Sequence, residues 1–477
     1  MPEPSIEIAD HNLHWIHLRT RLPFRYGIAT MTTVSQLFVQ LRVVAAGKEV
    51  IGISSDCLPP KWFTKVAATG LDEEVDEMLR VIRHALKVSM GLRGESAFDL
   101  WQQVYAAQSA WAKSEGVPPL LCHFGTSLVE RALIEAVCRA SHRTFAEMLH
   151  DNLLGVRLEQ IHASLAGRWP SDFLPVAPLQ RVIARHTVGL ADPLTEEEIE
   201  PEERLDDGLP QSLAACIARY GLRHFKIKVN GDIGQDLERL SRIAPIVQEQ
   251  AWPEFAFSLD GNEQFKSLDE FREFWEAIRG RAKLREFFRH LLFVEQPLHR
   301  DLALKPEVGV ALLQWPERPP LIIDESDATL EDLSTALQLG YAGTSHKNCK
   351  GVFKGIAHRC LLSDVRAGQH GPGLMSGEDL CNIGPVALLQ DLAVMGALGI
   401  GSVERNGHHY HAGLSQFPKP LQEQVLTHHS DLYERSHAGW PAVRITEGEI
   451  ELSSLNRAPF GVGFLLDVGQ FKPVEPI

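Results

Sequence analysis

From about residue 180 to about residue 405, short apolar runs alternate with amphipathic stretches, and this alternation constrains the fold more than any other feature. The apolar runs are VIARHTVGL, HFKIKV, FAFSLD, LLFVE, LIIDE, YAGTSHK, GPGLMS and GIGSVE. Between them lie segments such as GQDLERLSRIAPIVQEQ, SLDEFREFWEAIR and VFKGIAHRCLLSDVRA, whose apolar residues recur at helical spacing. Strands that alternate with helices build parallel sheets, because a parallel neighbour is reached only through a crossover. Eight strands in about 220 residues come close to the ~250 residues of a (β/α) barrel. Their number and strict alternation favour a closed barrel over an open sheet.

The preceding residues read differently. LHWIHLRTRL and SQLFVQLRVV are β-rich, a loop carrying Phe24, Arg25, Tyr26 and Gly27 joins them, and GKEVIGISSD supplies a third strand. LDEEVDEMLRVIRHALKVSM and TSLVERALIEAVCRASHRTFAEMLHDNL then show helical periodicity. Strands followed by helices mark a separate α+β domain. The expected organisation is an α+β domain over residues 1–165, the barrel over 175–410, and a segment, 411–477, that completes the barrel and packs back on the first domain.

Five of the barrel strands end in a charge: Lys226 and Lys228 in HFKIKV, Asp260 in FAFSLD, Glu295 in LLFVE, Asp324 in LIIDE and Lys347 in GTSHK. Interior parallel strands are near-continuous apolar runs, and a charge at their ends is costly without a partner or a task. In an eight-stranded barrel, strands two and six face each other and strands three to five form the arc between. The C-terminal strand ends are the face where barrel enzymes keep their sites. Three carboxylates therefore converge, with a lysine on either side. Such carboxylates repel one another unless a cation joins them, and oxygen-only ligands favour a hard one, Mg²⁺ above all. Lys226 and Lys228, two apart on a strand, share a face. Asn262 stands near Asp260, in a supporting position behind it. A lysine beside a metal and a second lysine is suited to take a proton from carbon next to a carboxylate. Lys350, three positions after Lys347, is the alternative occupant of the sixth strand end.

The net charge of −15, with no basic patch, argues against nucleic acid. The acidic run from Glu196 to Asp207 reads as a solvated loop. No stretch approaches the ~20 apolar residues of a membrane span, and the N-terminus lacks a signal pattern. Seven dispersed cysteines without CxxC spacing read as reduced thiols in a cytoplasm and predict no zinc site. An amidohydrolase-type barrel would need HxH at the end of strand one, where only His186 stands.

KIK, LDGN, VEQP, IIDES and the later lysine, in this order and spacing, resemble the enolase superfamily, of the mandelate racemase and muconate lactonizing enzyme type. The resemblance spans nearly the whole chain and implies a modified TIM-like barrel with an N-terminal α+β capping domain, whose loops near 22–30 and 54–65 would act as lids. It implies Mg²⁺ held by Asp260, Glu295 and Asp324. Lys228 would be one acid/base and Lys347 the opposite one, as in the muconate lactonizing branch. Lys226, Tyr26 and Glu378 would contact a small-molecule carboxylate substrate. The implied chemistry is α-proton abstraction, followed by racemisation or epimerisation, cycloisomerisation or β-elimination. An acid-sugar dehydratase and a non-catalytic paralogue are the alternatives. Members of this family tend to assemble, so a homo-oligomer is expected. The sequence departs from the pattern in KNCKGVFKG, which has one glycine where the branch has a pair. Glu378, Asp379, His408, His409 and His411 crowd strands seven and eight; the histidines read as a surface loop before they read as ligands.

Overall fold

All eight apolar runs form strands: Arg181–Val188, His224–Lys228, Ala256–Asp260, Leu291–Glu295, Leu321–Ile323, Gly343–His346, Leu374–Gly377 and Ser402–Arg405. They pair in parallel in sequence order, and the eighth closes on the first, with Arg405 opposite His186. The computed structural model describes residues 6–26, 29–66, 68–251 and 253–475, apart from the side chains at 26 and 29. Strand periodicity sorts the side chains. In the second strand Phe225 and Ile227 face the surrounding helices, while Lys226 and Lys228 face the barrel interior; all four are buried. The intervening helices begin where the sequence offers caps. Ser212, Asp232 and Ser267 each accept a hydrogen bond from the amide three residues on. No helix among the described residues is long and apolar enough to cross a membrane.

The first domain is an antiparallel sheet of Ile6–Tyr26, Ala29–Ala45 and Lys48–Cys57, covered by the helices Leu71–Ser89, Ala97–Glu115 and Pro119–Ser141. The helix Pro119–Ser141 lies directly on the sheet. A Cβ on Gly52 would stand 2.0 Å from the carbonyl oxygen of Ala132, so only glycine permits that approach. Residues 22–26 are not the loop that the sequence predicts. They continue the first strand as a two-stranded ribbon, with a register shift between Arg19 and Phe24 that bends it. Phe24 near the ribbon's end stacks on Tyr410 of the barrel, 4.2 Å between centroids.

Charged groups dock this domain on the barrel. Glu130 accepts the amides of Val352 and Phe353 at the start of the helix Val352–Ala367, where a carboxylate complements unpaired N–H groups. Arg21 pairs with Asp207 at 2.6 Å and donates to the carbonyls of Leu209, Pro210 and His409. The acidic run is thus exposed over most of its length, and its last residue fastens the ribbon. The C-terminal segment touches both units: Glu449–Glu451 pairs antiparallel with the first barrel strand, and Lys472–Pro473 pairs with the first strand of the sheet.

Arg131 is fully buried, 2.7 Å from Asp56, with Ser55 and Ser127 carbonyls as further acceptors. Burial pushes the Asp56 carboxyl up to about 6 even beside this guanidinium. Arg131→Met leaves that carboxylate unpaired and lowers the unfolding free energy by about 3–5 kcal/mol in urea titrations at neutral pH. An acid whose folded pKa lies above its unfolded value loses stability as pH rises through the folded value. The deficit is therefore larger at pH 8 than at pH 5, and equal deficits would refute the assignment.

Candidate active site

Strand register sets Lys228, Asp260 and Glu295 in one row, Lys228 opposite Asp260 and Asp260 opposite Glu295. One layer deeper, the Lys226 ammonium stands among four carboxylates. Its Nζ lies 3.0 Å from Asp260, 2.8 Å from Glu295, 2.6 Å from Glu378 and 2.9 Å from Glu404. Lys228 Nζ donates to Asp260 Oδ2 at 2.6 Å and to Asn262 Oδ1 at 2.8 Å. Across the barrel, Lys347 pairs with Asp324, lies 3.9 Å from Glu295, and sits under the Trp62 ring at 4.9 Å from its centroid. Lys350 is drawn away from the barrel mouth. It donates to the Ser345 carbonyl at 2.7 Å and lies 3.2 Å from Asp324 and 3.4 Å from Asp327. Of the two sixth-strand lysines, Lys347 is the one that faces open space.

The turns after the strands hold these groups. Asn262 and Glu263 follow Asp260 with φ of 41° and 66°, a left-handed backbone that residues other than glycine adopt at a cost. The turn lets the Asn262 amide donate to Asp260 Oδ1 at 2.9 Å and returns the Asn262 side chain to Lys228. Gln296, also left-handed, accepts the Asp324 amide at 2.7 Å and so ties the fourth strand end to the fifth.

Charge inside the barrel is balanced by pairing. Burial opposes the Lys226 charge, but Asp260, Glu295, Glu378 and Glu404 hold it protonated, well above the ordinary lysine range. Lys347, likewise buried, is raised by Asp324 and then Glu295. Burial works against Asp324 as an anion, and Lys347 and Lys350 more than offset it. Glu295 is pushed up, first by burial and then by Glu378. Burial also raises Glu378 and Asp379 to about 7 each, against the pull of Arg185 and Lys226 on the first and of Arg405 on the second.

A cavity opens between the two domains; Asp260 and the lysines Lys226, Lys228 and Lys347 line it, whereas Glu295 and Asp324 lie behind its wall. Phe24, Met31, Pro59 and Trp62 form its outer wall. Lys226, Lys228, Asp260, Asn262, Lys347, Asp379, Leu380, Cys381, Glu404 and Asn406 form the inner one. Among these predicted residues, Glu378 is below the floor, held by Arg185, Ser376 and Lys226. Asp379 and Glu404 face the cavity instead. Tyr26 closes its strand, and its side chain lies outside the described residues. The histidines are not a surface loop: His408, His409 and His411 are buried, the first two in the turn Gly407–Tyr410, where His186, Tyr220 and Cys216 pack against them. They do not line the acidic cavity. A second cavity lies behind the eighth strand, walled by Leu209, Tyr220, Ile383 and Tyr433. It holds none of the strand-end carboxylates, so the chemistry belongs to the first.

The lid is pinned by charges that sequence reasoning passed over. Arg300 donates to the carbonyls of Trp62 and Phe63 at 3.0 and 2.7 Å and pairs with Glu263 at 2.8 Å. Lys65 reaches Glu263 at 2.6 Å and the Asn262 carbonyl at 2.8 Å, with Glu325 3.6 Å away. Glu404 ends GIGSVE and obeyed the strand-end rule that found its neighbours. Arg185, in mid-strand, and Arg300, at the start of the short helix Arg300–Ala303, carry no such signal.

The donor set of Asp260, Glu295 and Asp324 is all oxygen and fits a hard divalent cation. Glu295 is fully buried, and its carboxylate oxygens make no directional hydrogen bond but face the ammonium groups of Lys226 at 2.8 Å and Lys347 at 3.9 Å, which a ligated cation would replace. The ammonium groups of Lys226 and Lys347 stand among the carboxylates, whose ligand atoms do not gather within 4.8 Å of one another. Closing the three around a cation requires those ammonium groups to turn aside.

Known structures share this architecture. A mandelate racemase/muconate lactonizing protein from Herpetosiphon aurantiacus is 15% identical, with 97% of this chain and 98% of that one covered and a TM-score of 0.60. 2-Chloromuconate cycloisomerase from Rhodococcus opacus 1CP is 16% identical over 97% and 98%, at 0.60. A dipeptide epimerase from Cytophaga hutchinsonii, complexed with Mg and the dipeptide D-Ala-L-Val, is 14% identical over 85% and 89%, at 0.54. No family model and no curated protein matches the sequence. At these identities the likeness concerns the fold, which is that of the mandelate racemase and muconate lactonizing type.

Arg300→Ala releases the lid without touching the cavity. The loss of charged hydrogen bonds worth about 1.5–3 kcal/mol accelerates amide exchange over residues 58–66 by roughly 10- to 100-fold. Unchanged exchange in that segment would show that the lid is held by its packing alone.

Proposed function

We propose that this protein is a divalent-cation-dependent enzyme that removes the α-proton of a small carboxylate substrate. The observation that carries the reading is the pair of lysines, Lys228 and Lys347, on opposite walls of one cavity with buried carboxylates between them. The fold neighbours include proteins named as racemases, epimerases and cycloisomerases, which supports this class of reaction. A Mg²⁺ held by Asp260, Glu295 and Asp324 would supply positive charge for the substrate carboxylate as its α-proton leaves and would offset the anions that keep Lys226 and Lys347 protonated.

The chain's own groups divide the remaining work. Lys228, fixed by Asp260 and Asn262, takes the proton from one face. Lys347, held protonated by Asp324, returns one from the other face. Removal on one side and delivery on the other inverts the α-carbon, so racemisation or epimerisation is the leading outcome. Lys226 stays charged and holds the carboxylate floor together. Trp62, Phe24, Met31 and Leu380 exclude water and leave room for a modest apolar substituent.

β-Elimination is the second reading, and one observation favours it. Asp379 faces the cavity, and burial raises its carboxyl to about 7 against the pull of Arg405 3.0 Å away, so a share of it is protonated near neutral pH and can offer a proton to a leaving group. Lys228 would again be the base.

Incubation of α-substituted carboxylates with the enzyme and Mg²⁺ in D₂O, followed by NMR, tests both. Deuterium enters the α-carbon in the native enzyme, and Lys228→Ala slows that exchange by about 10²- to 10⁴-fold. Lys347→Ala abolishes inversion while retaining exchange on one face, and Asp379→Asn suppresses only elimination. No exchange with any acid, together with no Mg²⁺ binding by calorimetry, would sink the enzymatic reading and leave a non-catalytic protein.

A further inference from the structure

We propose that His186, Cys216 and His409 form a binding site for a divalent transition ion of the zinc class, distinct from the acidic cavity. Among the described residues they are the trio of His, Cys, Asp or Glu side chains whose ligand atoms all lie within 4.8 Å of one another. His186 is on the first barrel strand, Cys216 on the following helix Leu213–Tyr220, and His409 in the turn after strand eight. Barrel closure, which sets Arg405 opposite His186, brings the three together.

Cys216 Sγ and His409 Nδ1 are 3.6 Å apart. Ligands at Zn–S of about 2.3 Å and Zn–N of about 2.05 Å on a tetrahedral ion are separated by about 3.6 Å. The surroundings also orient the histidines. His186 Nδ1 lies 3.0 Å from His408 Nε2. His409 Nε2 faces Asp192 at 3.9 Å, and Asp192 is itself held by Tyr410 and the Gly189 amide. A carboxylate behind the non-ligating nitrogen is the usual second partner of a metal-bound imidazole. His409 Nε2 has no hydrogen bond, although the residue is 2% exposed. Burial keeps His186 and His409 neutral, at about 3 each, which is the ligating form. Burial raises the Cys216 thiol, so its proton must pass to solvent as the sulfur bonds the ion, and affinity rises with pH. Two imidazoles and a thiolate select a borderline-soft ion over Mg²⁺. The dispersed cysteines gave no sign of this, since no two of them contribute.

The test is titration of the purified, chelator-treated full chain with Zn²⁺ and with Co²⁺. One equivalent of Zn²⁺ should bind, and the Co²⁺ protein should show a sulfur-to-cobalt charge-transfer band that oxygen ligands cannot produce. Cys216→Ser should remove the band and weaken Zn²⁺ binding at least tenfold, and His409→Gln should weaken binding likewise. Glu295→Gln, in the acidic cavity, should leave the band intact. Absence of the band in the native chain overturns the proposal whether or not the variants fold, and so does a band that survives Cys216→Ser. In either case the trio is a hydrogen-bonded core cluster, and the reading of the acidic cavity is unaffected.

Discussion

The Lys226 ammonium, buried among Asp260, Glu295, Glu378 and Glu404, is the interaction on which the interior of the barrel depends. Four carboxylates at the centre of a barrel would otherwise neutralise themselves by taking up protons. With Lys226 in their midst, Asp260 and Glu404 are held as anions while Glu295 and Glu378 are pushed toward their acids. The cluster also spans the barrel: residues from strands two, three, four and eight and from the end of strand seven meet at one nitrogen. A buried ion cluster of this kind is a poor source of net stability. It defines instead which side chains keep charge at the cavity floor.

The capping domain completes what the barrel begins. The barrel mouth supplies the charges and the first domain supplies the apolar wall, with Phe24 and Trp62 as its principal rings. The contacts that set this wall are themselves charged: Arg21 on Asp207, Glu130 on the start of a barrel helix, Arg300 on the Trp62 and Phe63 carbonyls, and Lys65 on Glu263. Each joins a long side chain of one unit to a backbone end or turn of the other. Such contacts are directional, so they fix the position of the lid more closely than apolar packing alone would. Trp62 then lies over Lys347, where its ring face favours the charged amine.

Two chemistries stand near each other at the barrel mouth. The acidic cavity presents oxygen and ammonium groups on strands two to six. The cluster of His186, Cys216 and His409 closes the gap between strands eight and one with nitrogen and sulfur. Ligand softness separates them: a hard cation has no reason to leave the carboxylates for the thiol, and a zinc-class ion favours the reverse. The likeness to known structures rests on backbone architecture at 13–17% identity, so the proposed cluster rests on this chain's own side chains.

The eight strands were legible because their signal is local. Apolar runs of period two, separated by helical periodicity, need no knowledge of neighbours, and each run lies on an observed strand. The strand-end charges were legible for the same reason: Lys226, Lys228, Asp260, Glu295, Asp324 and Lys347 each interrupt an apolar run at its end. Glu404 sits in the same position and was within reach of the same rule. What only the tertiary structure decided was adjacency. Which of Lys347 and Lys350 faces the cavity follows from Asp327 and the Ser345 carbonyl drawing the second one away. That Glu378 lies below the floor while Asp379 faces the cavity depends on Arg185, a residue nearly two hundred positions earlier. The burial of His408 and His409 depends on His186, Cys216 and Tyr220, from the other end of the barrel sequence, packing against them. Periodicity records the face a side chain takes along its own strand. Partners across a closed barrel are set by register and by the packing of distant segments, and no local pattern encodes those.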